Sequence, residues 1–176
     1  TGYYADVNDD GTVDGVIFVD SAYGASGTWG DYRGIYSFGV LGNLKSYKIS
    51  TKTSSYSGKF GTKQVIAPNG TSGNARIYVM ALSDYGTNNW SNACSTTQTV
   101  GSVTFRLPSK EEWSAFAGQF GITTSNYSST YGLSNWYWSS TEYDSSYAWF
   151  ADFSGDYVYD WSSKGGFSFV RLCATF

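Results

Sequence analysis

The chain has 176 residues, with 11 Lys and Arg against 14 Asp and Glu, which gives a formal net charge of -3. This balance, without any basic cluster, disfavours nucleic acid and anionic membrane surfaces as partners. The sequence contains no histidine, which excludes Ser-His-Asp catalysis, Cys-His catalysis and histidine-based zinc sites. A chain of this length suits one hydrophobic core, and we expect a single domain over residues 1–176.

The composition indicates short strands joined by long loops. Aromatic residues make up 19% of the chain, and Gly is abundant while Pro is scarce. The many Tyr, Thr, Ser and Gly residues favour strands and loops over helices. No apolar run reaches the length of a membrane span, and no signal peptide is visible. Because the chain begins at Thr1 without a methionine, we expect a mature or trimmed fragment.

The first chemical motif is an acidic loop near the N-terminus. Oxygen-bearing side chains and a turn glycine follow the spacing of an EF-hand or dockerin-type calcium loop, at Asp6, Asn8, Asp10, Gly11 and Asp14. The match fails at the twelfth position, where Ile17 replaces the bidentate acid. Two interpretations remain open: a structural calcium site, and an Asx-rich turn that leads into an apolar strand at 16–19.

The middle of the chain predicts one buried strand and one short helix. The stretch NARIYVMALSD (74–84) alternates as a strand does. It would place Ile77, Val79 and Ala81 on one face, and Tyr78, Met80 and Leu82 on the other. The stretch TNNWSNACSTTQT (87–99) carries apolar and small residues at helical spacing, which favours a short, weak helix.

The strongest element in the sequence is a helix over about 109–120. Ser109 and Glu112 form a capping box, in which each side chain binds the backbone N–H of the other residue. An apolar stripe follows at Trp113, Phe116, Ala117 and Phe120. Gly121 is the kind of residue that ends a helix.

The C-terminal third predicts strands. YAWFADF and YVYDW alternate like the arms of a hairpin, with SGD as the turn between them. FSFVRLCATF alternates again and should form the final strand. No spacing singles out a pair of carboxylates for acid–base catalysis, and we expect no enzymatic activity.

Cys94 and Cys173 are the only cysteines. In an extracellular protein they could form a disulfide that ties the short helix to the final strand. The alternative is two buried free thiols. A catalytic thiol is disfavoured because no histidine is present to activate it.

The segment between Tyr137 and Phe169 consists almost entirely of Tyr, Ser, Asp, Gly, Trp and Phe. Tyr and Trp bring large contact areas with few rotatable bonds, while Ser, Gly and Asp bring adaptable hydrogen bonding, as in antibody paratopes. A sheet core with polar turns would account for Trp138, Trp149 and Phe153. It accounts poorly for EYDSSY and YVYDWSSKGGFS, where large aromatics adjoin Asp and Ser. We therefore expect an exposed binding surface.

The motifs RLPSKEEW, YWSSTE and FVRLCATF resemble those of bacterial and phage domains of the C-type lectin fold. More specifically, the chain resembles the variable proteins of diversity-generating retroelements from gut bacteria and their phages. The resemblance is tight over 105–173 and looser over 1–104. It implies an α+β fold of twisted antiparallel strands with one or two short helices. The EPN, QPD and WND motifs of calcium-dependent sugar binding are absent, and the cysteines do not match the motif of formylglycine-generating enzymes.

In that family, errors at template adenines diversify chosen positions while a scaffold stays fixed. The resemblance and the composition together imply these ligand-binding residues: Tyr143, Asp144, Ser146, Tyr147, Phe150, Asp152, Ser154, Asp156, Tyr157, Tyr159, Asp160, Trp161, Ser162, Ser163, Phe167 and Ser168. Gly165 and Gly166 would also be diversified, whereas Trp161 does not fit because no Asn codon reaches Trp by adenine changes. The implied scaffold positions are Ser145, Ala148, Trp149, Phe153, Gly155, Val158, Lys164, Val170 and Arg171.

The expected function is a non-enzymatic receptor or adhesin domain that needs no cofactor, with structural calcium as the open exception. Its partner would be a protein or glycan on a cell surface. Its setting would be extracellular, on a phage particle, a pilus tip or a bacterial surface. Three alternatives remain: a fixed carbohydrate-binding adhesin, a structural pilus or fibre subunit, and an enzyme of the formylglycine-generating type.

Overall fold

The computed structural model of the protein describes residues 2–176, which form two helices, one 3-10 turn and sixteen strands. The helices are α1 (Trp90–Ser95) and α2 (Lys110–Phe120), and the 3-10 turn is Tyr32–Gly34. Within residues 2–176, neither helix has the length and apolar character that crossing a bilayer requires. The expected α+β class, dominated by strands, is confirmed.

The strands fall into two larger sheets and two ribbons. In chain order they are β1 (Tyr4–Ala5), β2 (Gly15–Asp20), β3 (Ala25–Thr28), β4 (Ile35–Phe38), β5 (Tyr47–Ile49), β6 (Ser55–Gly58), β7 (Gly61–Pro68), β8 (Ile77–Ala81), β9 (Gly86–Asn88), β10 (Gln98–Val100), β11 (Val103–Phe105), β12 (Trp136–Glu142), β13 (Tyr147–Asp152), β14 (Tyr157–Ser163), β15 (Ser168–Val170) and β16 (Cys173–Thr175).

The larger sheet has seven strands in the order β16-β8-β2-β1-β7-β5, with β6 also paired to β7. All its pairs are antiparallel except β1 with β7. The smaller sheet has five strands in the order β14-β13-β12-β15-β9, with β12 and β15 parallel. β3 with β4 and β10 with β11 form separate ribbons.

Helix α2 packs between the two larger sheets and forms the centre of the main core. Phe18 of the seven-stranded sheet lies edge-on to Phe116, at 5.9 Å between ring centroids, and Phe153 approaches Trp113 from the other side at 5.8 Å. Trp113 and Phe116 are fully buried. The capping box at Ser109 and Glu112 and the left-handed Gly121 after the helix are both confirmed.

Strand β8 separates two hydrophobic clusters, as its alternation predicts. Tyr78, Met80 and Leu82 contact the cluster around α2. Ile77, Val79 and Ala81 contact the second cluster, on the opposite face of the sheet. The short helix is also confirmed, and its first turn is capped by the Asn89 side chain, which accepts the Asn92 N–H at 2.9 Å.

The prediction of one continuous final strand is wrong. The chain leaves the five-stranded sheet after Val170 and enters the seven-stranded sheet at Cys173. Arg171, buried at this crossover, donates from Nε to Asp84 Oδ1 at 2.8 Å. Tyr137 donates its hydroxyl to the same carboxylate oxygen at 2.9 Å, and burial raises the pKa of Tyr137 to about 12. This polar contact fixes the junction between the sheets.

The two cysteines are both free, so the disulfide between Cys94 and Cys173 is not present. Cys94 lies on the exposed side of α1, whereas Cys173 is fully buried beside Arg106 and Glu112. Burial raises the pKa of the Cys173 thiol well above its ordinary value. The alternative of two buried thiols is therefore correct for Cys173 alone.

Candidate binding surface

The C-terminal hairpin of β13 and β14 has one face that packs on the α2 cluster and one partly open face. Ala151 pairs with Val158, and both are fully buried against the α2 cluster. Phe150 pairs with Tyr159 one residue along, so these two side chains point to the opposite face. The alternation thus anchors the hairpin by small apolar residues and presents larger aromatics outward.

Four aromatic side chains on this outer face form a row in successive contact, which we call the aromatic row: Trp136, Phe150, Tyr159 and Tyr157. The ring centroids of Trp136 and Phe150 are 6.4 Å apart, those of Phe150 and Tyr159 are 5.6 Å apart, and those of Tyr159 and Tyr157 are 5.8 Å apart. Trp136, the first residue of β12, is half exposed. It was not among the predicted site residues, although it precedes the YWSSTE motif directly.

Arg33, from the 3-10 turn, extends the aromatic row on its other side. Its guanidinium carbon lies 5.2 Å from the ring centroids of both Tyr157 and Tyr159 and 5.8 Å from that of Tyr32. The Arg33 Nε–H donates to both carboxylate oxygens of Asp31, which holds the guanidinium in place. This contact lowers the pKa of the Asp31 carboxyl. The sequence carried no signal for Arg33, because its contact with the hairpin depends entirely on the tertiary fold.

The β13–β14 turn uses a carboxylate that was predicted to bind ligand. Asp152 is buried, and its Oδ1 accepts the hydroxyl of Ser154 at 2.6 Å and the N–H of Gly155 at 2.9 Å. The prediction that Asp152 contributes to the exposed surface is therefore wrong. A short turn needs its amides satisfied, and a buried Asp two to three residues earlier does this.

The same turn packs closely on the loop before the 3-10 turn. A Cβ atom at Gly30 would lie 1.9 Å from the carbonyl oxygen of Asp156, so only glycine allows this approach. Asp156 itself is in the left-handed region, with φ of 62°, and burial raises the pKa of its carboxyl. The hairpin tip is therefore held by the N-terminal half of the chain.

A bulge divides the predicted site residues between two faces. The pairing shifts between Ala148 and Phe150, so that Asp160 and Trp161 lie opposite the single residue Trp149. Trp161 contacts Tyr147, at 5.6 Å between ring centroids, rather than continuing the aromatic row. The patch predicted over 143–168 is thus two groups of aromatics.

The second group lies at the far end of the hairpin. Tyr143 contacts Trp149 at 6.2 Å, and the Lys110 ammonium lies 3.8 Å from the centroid of the Trp149 ring. Asp144 accepts the N–H groups of Ser146 and Tyr147 at 2.7 and 2.8 Å, which closes the β12–β13 turn. Aromatics and turn carboxylates therefore occur together here as well.

Exposure separates the predicted ligand-binding residues into three sets. The exposed ones are Tyr143, Asp144, Ser146, Ser154, Trp161, Ser163 and Phe167. The half-buried ones are Tyr147, Phe150, Asp156, Tyr157, Tyr159, Asp160 and Ser162. Asp152 and Ser168 are buried. Ser168 lies inside β15, where it pairs with Asn88 of β9, and it lines a cleft beside the aromatic row.

A shallow cleft of about 530 Å³ adjoins the aromatic row at Trp136. One wall is β15 with its neighbour β9, and the other is the loop that leads into β12. Phe167 and Phe169 are exposed at this cleft, like Trp136. Phe167 was predicted as a site residue, while Phe169 was not.

The acidic N-terminal loop is closed by its own backbone. The Asp6 carboxylate accepts the N–H groups of Asp10 and Gly11 at 3.0 and 2.9 Å, and Asp14 accepts the N–H of Val7 at 2.8 Å. Burial, with the nearby charges of Asp6 and Asp10, raises the pKa of Asp14. These are the hydrogen bonds of an Asx-rich turn.

The other polar side chains of this loop bind neighbouring residues of the protein instead of pointing together at one site. Asn8 donates its amide to Asp10 Oδ2 at 3.0 Å, and Asp9 forms an ion pair with Lys48 at 2.7 Å. Within residues 2–176, no three acidic, thiol or imidazole side chains come together in a metal-binding arrangement. The residues predicted to hold calcium, Asp6, Asn8, Asp10 and Asp14, therefore fit a turn better than a cation site.

The chain matches no model of a known protein family, and no curated protein is significantly similar to it.

Proposed function

We propose that the protein is a non-enzymatic binding domain that presents the aromatic row to a ligand on a cell surface. The row itself carries this proposal, because its rings contact one another on the more exposed face of the hairpin, whose other face packs on the α2 cluster at Ala151 and Val158. Half-exposed aromatics on a rigid support are typical of binding hot spots. Such rings lose little conformational entropy on binding, since they are already held in place.

We further propose that the fold is that of C-type lectins and that the protein is a variable protein of a diversity-generating retroelement. Burial supports this proposal, because most of the fully buried positions of the segment belong to the implied scaffold. Of the nine implied scaffold residues, Ala148, Phe153, Val158, Val170 and Arg171 are buried, Trp149, Gly155 and Lys164 are half-buried, and Ser145 is exposed. Apart from Asp152 and Ser168, the implied diversified residues are exposed or half-buried.

The setting that follows is extracellular, at a phage tail tip, a pilus tip or a bacterial surface. Each such site requires a domain that holds its shape while the contacting side chains change. The hairpin meets that requirement, because its inward residues Ala151 and Val158 are buried on the face opposite the aromatic row.

Deep sequencing of this gene across its source population tests the proposal. We expect substitutions to concentrate at the outward positions of 143–168, such as Tyr157 and Tyr159, and to be limited to codons derivable from Asn. Ala148, Ala151 and Val158 should remain constant, because their side chains are buried.

A segment as constant as helix α2 would contradict diversification. The protein would then be a dedicated binder with one fixed ligand, and the aromatic row would remain the place to seek it. Variation spread evenly over buried and exposed positions would contradict both parts of the proposal.

A further inference from the structure

The cleft beside Trp136 has walls of a distinct chemistry. Three exposed aromatic side chains face it, those of Trp136, Phe167 and Phe169, with relative exposures of 50%, 69% and 37%. The other residues that line it are apolar or carry uncharged polar groups, among them Asn135, Ser128 and Thr87. None of the described residues that line the cleft is charged.

The polar groups of the cleft include free hydrogen-bond donors. Asn135 accepts the Tyr127 hydroxyl at its Oδ1 (2.9 Å), which leaves its amide N–H groups available. The half-exposed Trp136 indole carries a further N–H donor. The hydroxyls of Ser128 and Thr87 can both donate and accept. A ligand for this cleft must therefore combine flat apolar faces with several neutral polar groups.

The floor of the cleft is already ordered. Ser134, which lines it, donates its hydroxyl to Asp84 Oδ2 at 3.1 Å and its backbone N–H to the Tyr137 hydroxyl at 2.8 Å. Arg171 pairs with the same Asp84 from inside the protein, at 2.8 Å. The carboxylate is thus neutralised below the surface, and the cleft keeps a fixed shape without a net charge of its own.

From these observations we propose that the cleft binds a neutral sugar ring of a cell-surface glycan. A pyranose has an apolar face of C–H groups that stacks on an aromatic ring, and its rim of hydroxyls matches the uncharged donors and acceptors. The cleft volume of about 530 Å³ lies within the range of about 300–1,000 Å³ usual for small-ligand sites. The absence of lysine and arginine from its walls disfavours sialylated or sulfated sugars.

This inference rests on the proposed role as a binding domain, and it names the ligand class for one part of that surface. The aromatic row shares Trp136 with the cleft, so a glycan seated here would extend along the row towards Tyr159. A protein partner is the competing occupant, and the experiment separates the two.

The experiment is a glycan array containing both neutral and sialylated oligosaccharides, probed with the whole chain, followed by calorimetric titration of the best neutral glycan. We expect binding to a neutral glycan that changes little with salt, since no ion pair forms. Trp136→Ala and Phe167→Ala should each weaken binding at least tenfold. Trp136→Phe should retain most of the affinity, because it keeps an aromatic face.

Tyr23→Ala provides the matched control, because Tyr23 is exposed and lies outside the cleft. Its affinity and melting temperature should equal those of the unmodified chain. Near-ultraviolet circular dichroism of the Trp136 variants establishes that they are folded.

Three results would overturn the inference: no neutral glycan bound, binding confined to sialylated glycans, or unchanged affinity in both Trp136→Ala and Phe167→Ala. The proposed diversification fails separately, if the C-terminal segment is invariant in the sequenced population. If the C-terminal segment varies in the population but the protein binds no glycan, the ligand would instead be a protein.

Discussion

Arg33 lies far from the C-terminal hairpin in sequence, yet its guanidinium contacts both tyrosines of the aromatic row. Its side chain is 19% exposed and is fixed by Asp31. A guanidinium can stack on Tyr, pair with Asp and donate a hydrogen bond to Ser. Adenine changes in an Asn codon can produce all three of these residue types. Arg33 would therefore suit the diversified hairpin that we propose.

We predict a favourable coupling between Arg33 and Tyr159. In a double-mutant cycle of Arg33→Ala and Tyr159→Ala, the coupling in unfolding free energy should be about 0.5–1 kcal/mol, as for other cation–π pairs. Denaturant unfolding of the four proteins measures it. Tyr159→Phe is the matched control, because it keeps the ring and should keep the coupling. A coupling of zero would mean that Arg33 and the ring are neighbours without mutual stabilisation.

Trp113 is the side chain on which the main core depends most. It is fully buried, it contacts Phe116, Tyr137 and Phe153, and its indole donates to the Trp138 carbonyl at 3.0 Å. Trp113→Ala should lower the free energy of unfolding by about 3–5 kcal/mol, as expected when a buried aromatic is removed.

Trp161→Ala is the control for Trp113→Ala, because Trp161 is 60% exposed. It should change stability by no more than about 0.5 kcal/mol. Equal effects of the two substitutions on chemical denaturation would contradict the assignment of the core.

At the scale of single elements, the first turn of helix α2 carries an ion pair between the buried Glu112 and the half-exposed Arg106. Arg106 donates from Nη1 and Nη2 to the two carboxylate oxygens of Glu112, at 2.7 and 2.8 Å. Burial alone would raise the pKa of Glu112, but the Arg106 guanidinium and the Ser109 N–H outweigh it and lower that pKa. Ionised Glu112 therefore stabilises the folded state above the ordinary glutamate pKa of about 4.3.

This stabilisation should be lost as the pH falls through the lowered pKa of Glu112, because the folded state then has to take up a proton that it binds weakly. We expect Glu112→Gln to be less stable than the unmodified chain at neutral pH, and the difference to shrink in acid. Gln can still complete the capping box, so the helix should persist. Melting temperatures of both proteins, measured from neutral pH to about pH 3, test this prediction. A difference in melting temperature that stays constant over this pH range would contradict it.

The elements differed in how far the sequence could predict them. Helix α2 was predictable to within one residue, because its signals at Ser109, Glu112 and Gly121 are local. The two faces of β8 followed from simple alternation. The break of the last strand at Arg171 was not predictable, because alternation continues through it and only the distant Asp84 gives Arg171 a partner.

The candidate site was predictable in composition and less so in geometry. The outward tyrosines follow from the pattern of the hairpin, but the bulge that turns Trp161 away is a two-strand feature that one strand cannot reveal. Asp152 was misassigned because an aspartate in a turn and one in a binding loop look alike in sequence. Arg33 and Trp136 join the surface only through tertiary contacts.

At the scale of the whole molecule, stability should not depend on calcium. The acidic loop already satisfies its carboxylates with backbone N–H groups, at Asp6 and Asp14. We expect the same melting temperature in excess EGTA and in millimolar calcium. A melting temperature that is higher in calcium than in EGTA, with the difference abolished by Asp10→Asn, would instead support the cation site suggested by the spacing.

Strand β14 is the outermost strand of its sheet, and it ends the hydrogen-bonded ladder with an edge rich in tyrosine and tryptophan. Such an edge is a template on which further chains can add and aggregate. The bulge at Asp160 and Trp161 interrupts the regular spacing that an incoming strand would need. We therefore expect the bulge to hinder self-association through this edge strand. Deletion of Asp160 should restore a regular edge and promote oligomers, which size-exclusion chromatography with light scattering would detect; a deletion variant that stays monomeric would remove this role from the bulge.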